Sequence, residues 1–150
     1  MQFLIKKFFE LHLEELYDIL ALRSEIFVLE QKCIYQDIDY RDKDAIHIIG
    51  YENKEIICYA RILSPGTVYP KHTAIGRVLV REQYRKRQNG NTLMKKAIFV
   101  CQKEHLSYPI KISAQSHLDK FYSELNFKST GKQYIEDGIP HQEMIYISSL

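Results

Sequence analysis

The stretch from Ala74 to Val100 constrains the fold most, because an apolar run, a basic turn and an amphipathic helix follow one another there. The run AIGRVLV predicts a strand, and the apolar residues of TLMKKAIFV recur at the spacing of a helical stripe that packs on a sheet. Between Arg77 and Lys96, seven basic residues stand against one acidic residue, so this segment carries +6 in a chain of net charge +2. Backbone N–H groups and the dipole at a helix N-terminus attract phosphate. The pattern therefore favours a polyanion, such as a coenzyme diphosphate, bound at this turn.

The composition is typical of one soluble globular domain spanning residues 1–150, with 45% hydrophobic and 27% charged residues. Cys33, Cys58 and Cys101 lie far apart in apolar sequence, which favours buried reduced thiols over a disulfide framework or a metal site. The N-terminal segment carries lysine and glutamate within its apolar part, and no apolar run approaches about 18 residues. We therefore expect a cytoplasmic protein, a monomer or homodimer, with no metal and no membrane partner.

The remaining periodicities predict an α+β fold in the order βαβββαβαββ. Strands are predicted over residues 2–6, 45–51, 56–63, 73–80, 110–114, 128–134 and 142–147, and helices over 13–28, 90–105 and 118–125. The three strands between 45 and 80 should form an antiparallel meander. The β-α-β crossover from 73 to 114 requires its two strands to run parallel. We also expect Asn126 to end the last helix in the left-handed conformation.

Two segments of the chain carry a family resemblance: the run VLV followed by Arg85-x-x-Gln88-x-Gly90, and the segment SAQSHLDKFYSELNF at 113–127. They are similar to the acyl-CoA-binding core of the GNAT superfamily of N-acetyltransferases. Four blocks resemble its ElaA-type branch and together cover most of the chain: ALRSEIFVLEQKC at 21–33, YQDIDYRDKDAIH at 35–47, KISAQSHLDKFY at 111–122 and YIEDGIPHQEM at 134–144. The resemblance implies a mixed central sheet flanked by helices, with a parallel strand pair that splays apart. It also implies transfer of an acetyl group from acetyl-CoA to a primary amine by direct attack in a ternary complex.

The coenzyme-binding residues follow from the same resemblance. In such enzymes pantetheine lies between the splayed strands and pairs with free backbone groups as an added strand would. The residues implied are Val78, Leu79 and Val80 for this strand edge, Arg85, Lys86, Arg87, Gln88, Asn89 and Gly90 for the pyrophosphate turn, and Gln115 and Phe121 for the wall beside the coenzyme. The superfamily usually has glycine where this chain has Gln88, which places side-chain bulk near the phosphates.

Tyr122 is the side chain to which the resemblance assigns a chemical step. It occupies the place of a tyrosine that donates a proton to the departing CoA thiolate, and a phenol of pKa ~10 remains a donor at neutral pH. Its position on an apolar stripe also allows a role as a core aromatic. The general base stays open, because this chain has Gly76-Arg77 where many members place a carboxylate. The candidates are Glu30, Asp37, Asp39, His47, His117 and His141.

The acidic stretch from Glu30 to Asp44 suits either a cation site or a solvated surface. The EF-hand calcium pattern is broken by Arg41 and lacks a closing glutamate, so a calcium site is not predicted. We expect an anionic wall that attracts an ammonium group of a small-molecule or peptide amine, and the residues assigned to it are Glu30, Asp37 and Asp39. Arg23, on the stripe of the first helix, is expected to pair with one of these acids.

Two other classes of function compete with the enzyme. The basic turn could contact nucleic acid, but the overall charge is nearly neutral, tryptophan is absent and the basic residues cluster in one turn. We therefore expect no nucleic-acid partner. A catalytically idle coenzyme-binding or interaction module with the same fold would differ from the enzyme only in its activity.

Overall fold

A computed structural model describes residues 1–148, which form seven strands and three α-helices. The strands are β1 (Gln2–Lys7), β2 (Ile46–Glu52), β3 (Glu55–Leu63), β4 (Thr73–Val80), β5 (Ile110–Gln115), β6 (Phe127–Glu136) and β7 (Ile139–Tyr146). The helices are α1 (Leu13–Arg23), α2 (Asn89–Glu104) and α3 (Asp119–Glu124). This order of elements and the α+β class confirm the sequence prediction. Within the described range, no helix is both long and apolar enough to cross a membrane.

The seven strands form one mixed sheet in the order β1-β2-β3-β4-β5-β7-β6. The meander of β2, β3 and β4 is antiparallel, and β4 and β5 run parallel, both as predicted. The hairpin between β2 and β3 turns at Asn53 and Lys54, and both have positive φ, as two-residue hairpin turns require. Asn126 follows α3 with φ 68°, which confirms its predicted left-handed conformation.

Helices cover both faces of the sheet. On one face α2 packs Leu93, Met94 and Ala97, all fully buried, against apolar residues of β3 and β5. On the other face α1 buries Ile19 and Leu22. Burial of a large aliphatic side chain contributes about 1.5–3 kcal/mol. The sheet is therefore held from both sides, with α2 and α3 on one face and α1 on the other.

The first helix does not remain α-helical to residue 28. After Arg23 the chain continues as a π-helix from Ser24 to Glu30. The neighbours Ile26 and Phe27 of this π-helix are both buried in the core. This change from α-helix to π-helix is the main departure from the predicted secondary structure.

The parallel strands β4 and β5 pair only at their first residues. Thr73 and Ala74 have partners on β5, and the strands then separate, as the resemblance implies. Within residues 1–148, the stretch 75–80 of β4 has no strand partner on that side. The gap exposes backbone N–H and C=O groups that an extended ligand can pair with.

A β-bulge in β4 accompanies this separation. Arg77 and Val78 together lie opposite Ala60 of β3, and Arg77 has φ 49°, a conformation that favours glycine. The Nε atom of Arg77 lies 2.7 Å from Oδ1 of Asp37, and its Nη2 donates to the backbone carbonyl of Asp37 at 2.8 Å. The ring of Tyr35 lies 5.8 Å from the same guanidinium. The loop before β2 therefore holds the bulge in place through the side chain of Arg77.

Three arginines and three aspartates form a buried ionic network around this loop. Arg23, which is fully buried, binds Asp37 at 2.8 Å and Asp42 at 2.7 Å, confirming its predicted pairing with an acid. Arg61 binds Asp42 at 2.9 Å and Asp39 at 2.5 Å. Burial favours a higher pKa for Asp39 and Asp42, but the hydrogen bonds and charges of Arg23 and Arg61 outweigh it and hold both pKa values below their usual range. Arg77 completes the network through Asp37.

We predict that Asp42→Asn lowers the free energy of unfolding by about 3–5 kcal/mol, because two buried guanidinium groups lose a shared carboxylate. Asp44 is the matched control, since it is exposed on the same short helix, Arg41–Asp44. Asp44→Asn should change the free energy of unfolding by about 0.5 kcal/mol or less. Urea unfolding at pH 7 measures both variants. If both variants lose the same free energy of unfolding, the ionic network does not stabilise the fold more than an exposed carboxylate does.

Candidate active site

The gap between β4 and β5 opens into a cavity of about 1330 Å³. Val80, Phe121 and Tyr122 line it on the side of α2 and α3, whereas Tyr134 and His141 line it beside the β6–β7 hairpin. Since residues from both faces of the sheet contribute, the cavity crosses the sheet at the gap. Two substrates could approach each other through it from opposite faces.

Most of the residues implied for coenzyme binding line this cavity. They are Val78, Leu79, Val80, Arg85, Lys86, Gln88, Asn89, Gly90, Gln115 and Phe121. Arg87 is the exception, because its guanidinium lies 5.8 Å from the ring centre of Tyr84 and outside the cavity lining. The structure thus brings together ten of the eleven positions, from β4, the following turn, β5 and α3.

The turn before α2 contains two non-glycine residues with left-handed backbone. Lys86 has φ 62° and Gln88 has φ 63°. The glycine that the superfamily usually has at the position of Gln88 adopts this conformation without a Cβ clash. Gln88 is also the N-cap of α2, and its side chain makes no capping hydrogen bond. The first N–H groups of α2 are therefore left for a ligand, at the end of the cavity that Asn89 and Gly90 line.

The basic charge of this turn is partly committed to carboxylates. Nη1 of Arg85 lies 2.5 Å from Oε1 of Glu30, and its Nε donates to the carbonyl of Val80 at 2.8 Å. Arg77 belongs to the buried network and contributes little free charge to the turn. Lys86 lines the cavity without a carboxylate partner among residues 1–148. The positive charge that faces a ligand is consequently smaller than the +6 of the segment.

Tyr122 is both a core aromatic and a cavity residue, so its two sequence-based interpretations are compatible. It is 7% exposed, and its ring packs edge-to-face against Phe121 at 5.0 Å and Phe127 at 5.9 Å. It also lines the cavity. Burial raises the pKa of Tyr122 to about 12, so the phenol keeps its proton throughout the neutral range.

A polar cluster of Ser113, Tyr134, Glu136 and His141 lies on the α1 face of β5, β6 and β7. Oγ of Ser113 lies 2.5 Å from the hydroxyl of Tyr134 and donates to Glu136 at 3.3 Å. The His141 ring stacks on Tyr134 with ring centres 6.1 Å apart, and its Nε2 lies 3.5 Å from Oε2 of Glu136. Sequence analysis missed three of these residues. For Tyr134 and Glu136 the sequence signal is their spacing of two residues in a strand, which places both side chains on one face of the sheet.

Asp37 does not form the anionic wall that the sequence predicts. Its Oδ2 accepts from Arg23, and its Oδ1 binds Arg77 and the hydroxyl of Tyr35. It is 8% exposed and does not line the cavity. Burial among these partners leaves the Asp37 carboxylate no free oxygen for an ammonium group. Asp39 does line the cavity, although Arg61 binds its carboxylate.

His47 is a structural residue and not a cavity base. Its Nδ1 lies 2.7 Å from the hydroxyl of Tyr59, and its Nε2 lies 2.9 Å from the carbonyl oxygen of Asp42. Burial lowers the pKa of His47. The base candidates that line the cavity are Glu30, Asp39, His117 and His141. Among residues 1–148, no group of three or more histidine, cysteine, aspartate or glutamate side chains is arranged to hold a metal ion.

We predict that Gln88→Gly raises the free energy of unfolding by about 0.5–1 kcal/mol, because glycine relieves left-handed strain. Gln83→Gly is the control, since Gln83 lies in the short helix Glu82–Tyr84 and has no positive φ. That change should lower the free energy of unfolding by about 0.5–1 kcal/mol. Thermal and urea unfolding measure both. If Gln88→Gly lowers the free energy of unfolding as much as Gln83→Gly does, the left-handed backbone at Gln88 is not strained.

Comparisons with known proteins agree with this geometry. A family model described as an acetyltransferase (GNAT) domain matches residues 18–148. In sequence alignment, protein ElaA of Escherichia coli is 43% identical over 135 residues, which cover 88% of this chain and 87% of ElaA. The crystal structure of E. coli ElaA superposes with a TM-score of 0.91 at 38% identity, covering 98% of this chain and 100% of that chain. An acyl-CoA N-acyltransferase from Pseudomonas aeruginosa superposes with a TM-score of 0.91 at 34% identity and the same coverage. The chain therefore belongs to the GNAT acetyltransferase family, as a homologue of ElaA.

Proposed function

We propose that this protein is an N-acetyltransferase that moves the acetyl group of acetyl-CoA to a primary amine by direct attack in a ternary complex. The observation that carries the proposal is the gap between β4 and β5, where residues 75–80 have no strand partner within the described chain. Extended pantetheine can pair with such an edge as an added strand would. The P. aeruginosa relative, an acyl-CoA N-acyltransferase by name, supports the reaction class.

The coenzyme would lie along β4 with its pyrophosphate at the start of α2. In this arrangement the backbone of Val78, Leu79 and Val80 pairs with pantetheine, and the free N–H groups at Asn89 and Gly90 bind phosphate oxygens. Lys86 adds a positive charge beside them. The remaining contacts come from Arg85, which exchanges Glu30 for a phosphate, and from Gln88, Gln115 and Phe121.

The acceptor would enter from the α1 face, opposite the coenzyme. The carboxylates of Glu30, Asp39, Glu136 and Glu143 line the cavity and attract an ammonium group. A primary amine of a small molecule or of a peptide carries this charge at neutral pH, because its pKa is about 10.4. The reaction belongs in the cytoplasm, a placement that the three buried free thiols support.

Tyr122 would supply the proton that the leaving group needs. The amine nitrogen attacks the thioester carbon, the carbon–sulfur bond breaks, and the sulfur takes the phenolic proton of Tyr122. The placement of Tyr122 at the cavity wall supports this role.

We predict that Gly90→Asp loses most of the affinity for acetyl-CoA, because a carboxylate at the start of α2 repels the pyrophosphate. Gly90→Ala should lose much less, since a Cβ at this position lies 3.5 Å from the Phe121 ring, an ordinary contact. Ser107→Asp, an exposed position beyond the far end of α2, controls for net charge. Calorimetric titration with acetyl-CoA measures all three. A folded Gly90→Asp protein with unchanged affinity would remove the proposed coenzyme site.

For the chemical step, we predict that Tyr122→Phe lowers kcat by about 100-fold or more while affinity for acetyl-CoA and stability change little. The packed ring stays and only the donor is lost. Tyr146→Phe is the control, because Tyr146 packs on Phe127 in the same apolar cluster outside the cavity lining. Steady-state kinetics from pH 6 to 9 with a panel of primary amines tests this. Wild-type kcat across that range would leave Tyr122 as a core aromatic only.

A further inference from the structure

The tautomer of His141 follows from its hydrogen bonds. Its Nδ1 lies 2.7 Å from the carbonyl oxygen of Ile139. A carbonyl oxygen can only accept a hydrogen bond, so Nδ1 carries the hydrogen in the neutral ring. The other nitrogen, Nε2, is then unprotonated and has a free lone pair. Neutral imidazole in this tautomer is a base at Nε2.

The register of the sheet places His141 beside Gln115 at the cavity. His141 is the register partner of Gln115 across β5 and β7, and both residues line the cavity. The ring is held by stacking on Tyr134, with 12° between the ring planes. His141 is 9% exposed, so its orientation is set by protein contacts.

A carboxylate stands where a protonated His141 needs one. Oε2 of Glu136 lies 3.5 Å from Nε2, the atom that would receive a proton. The charged and titratable side chains that β6, its turn and β7 add to the cavity lining besides His141 are Lys132, Tyr134, Glu136, Asp137 and Glu143, and the π-helix adds Glu30. Four of these side chains are carboxylates, and Lys111 engages one of them, Glu143, at 3.6 Å.

We propose that His141 is the general base of the reaction and that Glu136 stabilises its protonated form. This inference rests on the proposed N-acetyltransferase function. As the amine nitrogen forms its bond to the thioester carbon, its proton passes to Nε2 of His141. The carbon–sulfur bond breaks with its electron pair on sulfur, and sulfur takes the proton of Tyr122. The imidazolium then releases its proton to solvent, and the tyrosinate recovers one.

The other cavity candidates lack this combination. Arg61 binds both carboxylate oxygens of Asp39. Glu30 pairs with Arg85 in this structure, and once Arg85 binds a phosphate instead, no other contact among residues 1–148 holds the Glu30 carboxylate in one position. His117 is exposed and has no hydrogen bond that selects a tautomer among residues 1–148. His141 therefore combines a defined base atom, a fixed ring and a stabilising anion.

The first test needs no acceptor. In ¹⁵N-labelled protein at pH 8, the imidazole signals that disappear in His141→Asn should show a protonated Nδ1 and an unprotonated Nε2. A protonated Nε2 would overturn the proposal. This measurement does not depend on activity. If no amine is acetylated, the proposed function fails. The tautomer of His141 and the binding of acetyl-CoA, measured by calorimetry, are then each judged on their own result.

The second test is kinetic, with acetyl-CoA and a panel of alkyl, aryl and α-amino primary amines. His141→Asn keeps a donor for the Ile139 carbonyl but has no base, so kcat/KM should fall by about 100-fold or more with the dissociation constant for acetyl-CoA unchanged. The pH range over which kcat/KM rises should disappear from the pH profile of this variant. In Glu136→Gln the same rise in kcat/KM should move to lower pH. His105→Asn, at the C-terminal end of α2, should match the wild type. A His141→Asn enzyme that keeps this rise would show that another group takes the proton.

Discussion

The ion pair between Arg77 and Asp37 is the constraint on which the site depends. Arg77 sits in a left-handed conformation at the bulge of β4, where a residue with a Cβ is disfavoured. Its side chain is held by Asp37, which Arg23 holds in turn from α1. The bulge bends β4 away from β5 and creates the gap that a coenzyme can enter. The contacts of the Arg77 side chain with the loop before β2 thus support the bulge that opens the cavity.

Local rules predicted the parts of the fold that depend on neighbouring residues. Alternation and helical spacing placed all seven strands, and the crossover argument placed β4 beside β5. Asn126 was placed correctly because helix termination is a local preference. The α-helix predicted to residue 28 ends at Arg23 and the chain continues as a π-helix, because no residue type in the sequence signals a π-helix.

The site was harder to predict because charges separated in sequence meet in space. Asp37 stands in a polar stretch of sequence that is typical of a solvated loop. Its partners Arg23 and Arg77, however, lie 14 and 40 residues away along the chain. Arg85 was assigned to a phosphate, and in this structure it binds Glu30. Counting charge along the chain therefore overstated the free positive charge at the turn and the free negative charge at the loop. The contact between His141 on β7 and Glu136 on β6 depends on a strand register that sequence alone does not define.

The buried ionic network also makes the stability of the fold depend on pH in the acid range. Because the pKa values of Asp39 and Asp42 lie below their usual range, the unfolded chain binds more protons than the folded chain once the pH drops below about 4. The stability that these carboxylates contribute is complete above that pH and is lost as the pH falls toward their folded-state values. The apolar contacts between α2 and the sheet carry no such charge. Acid therefore acts first on the support of the β4 bulge, and loss of the gap, and with it of coenzyme binding, should precede loss of the helical core.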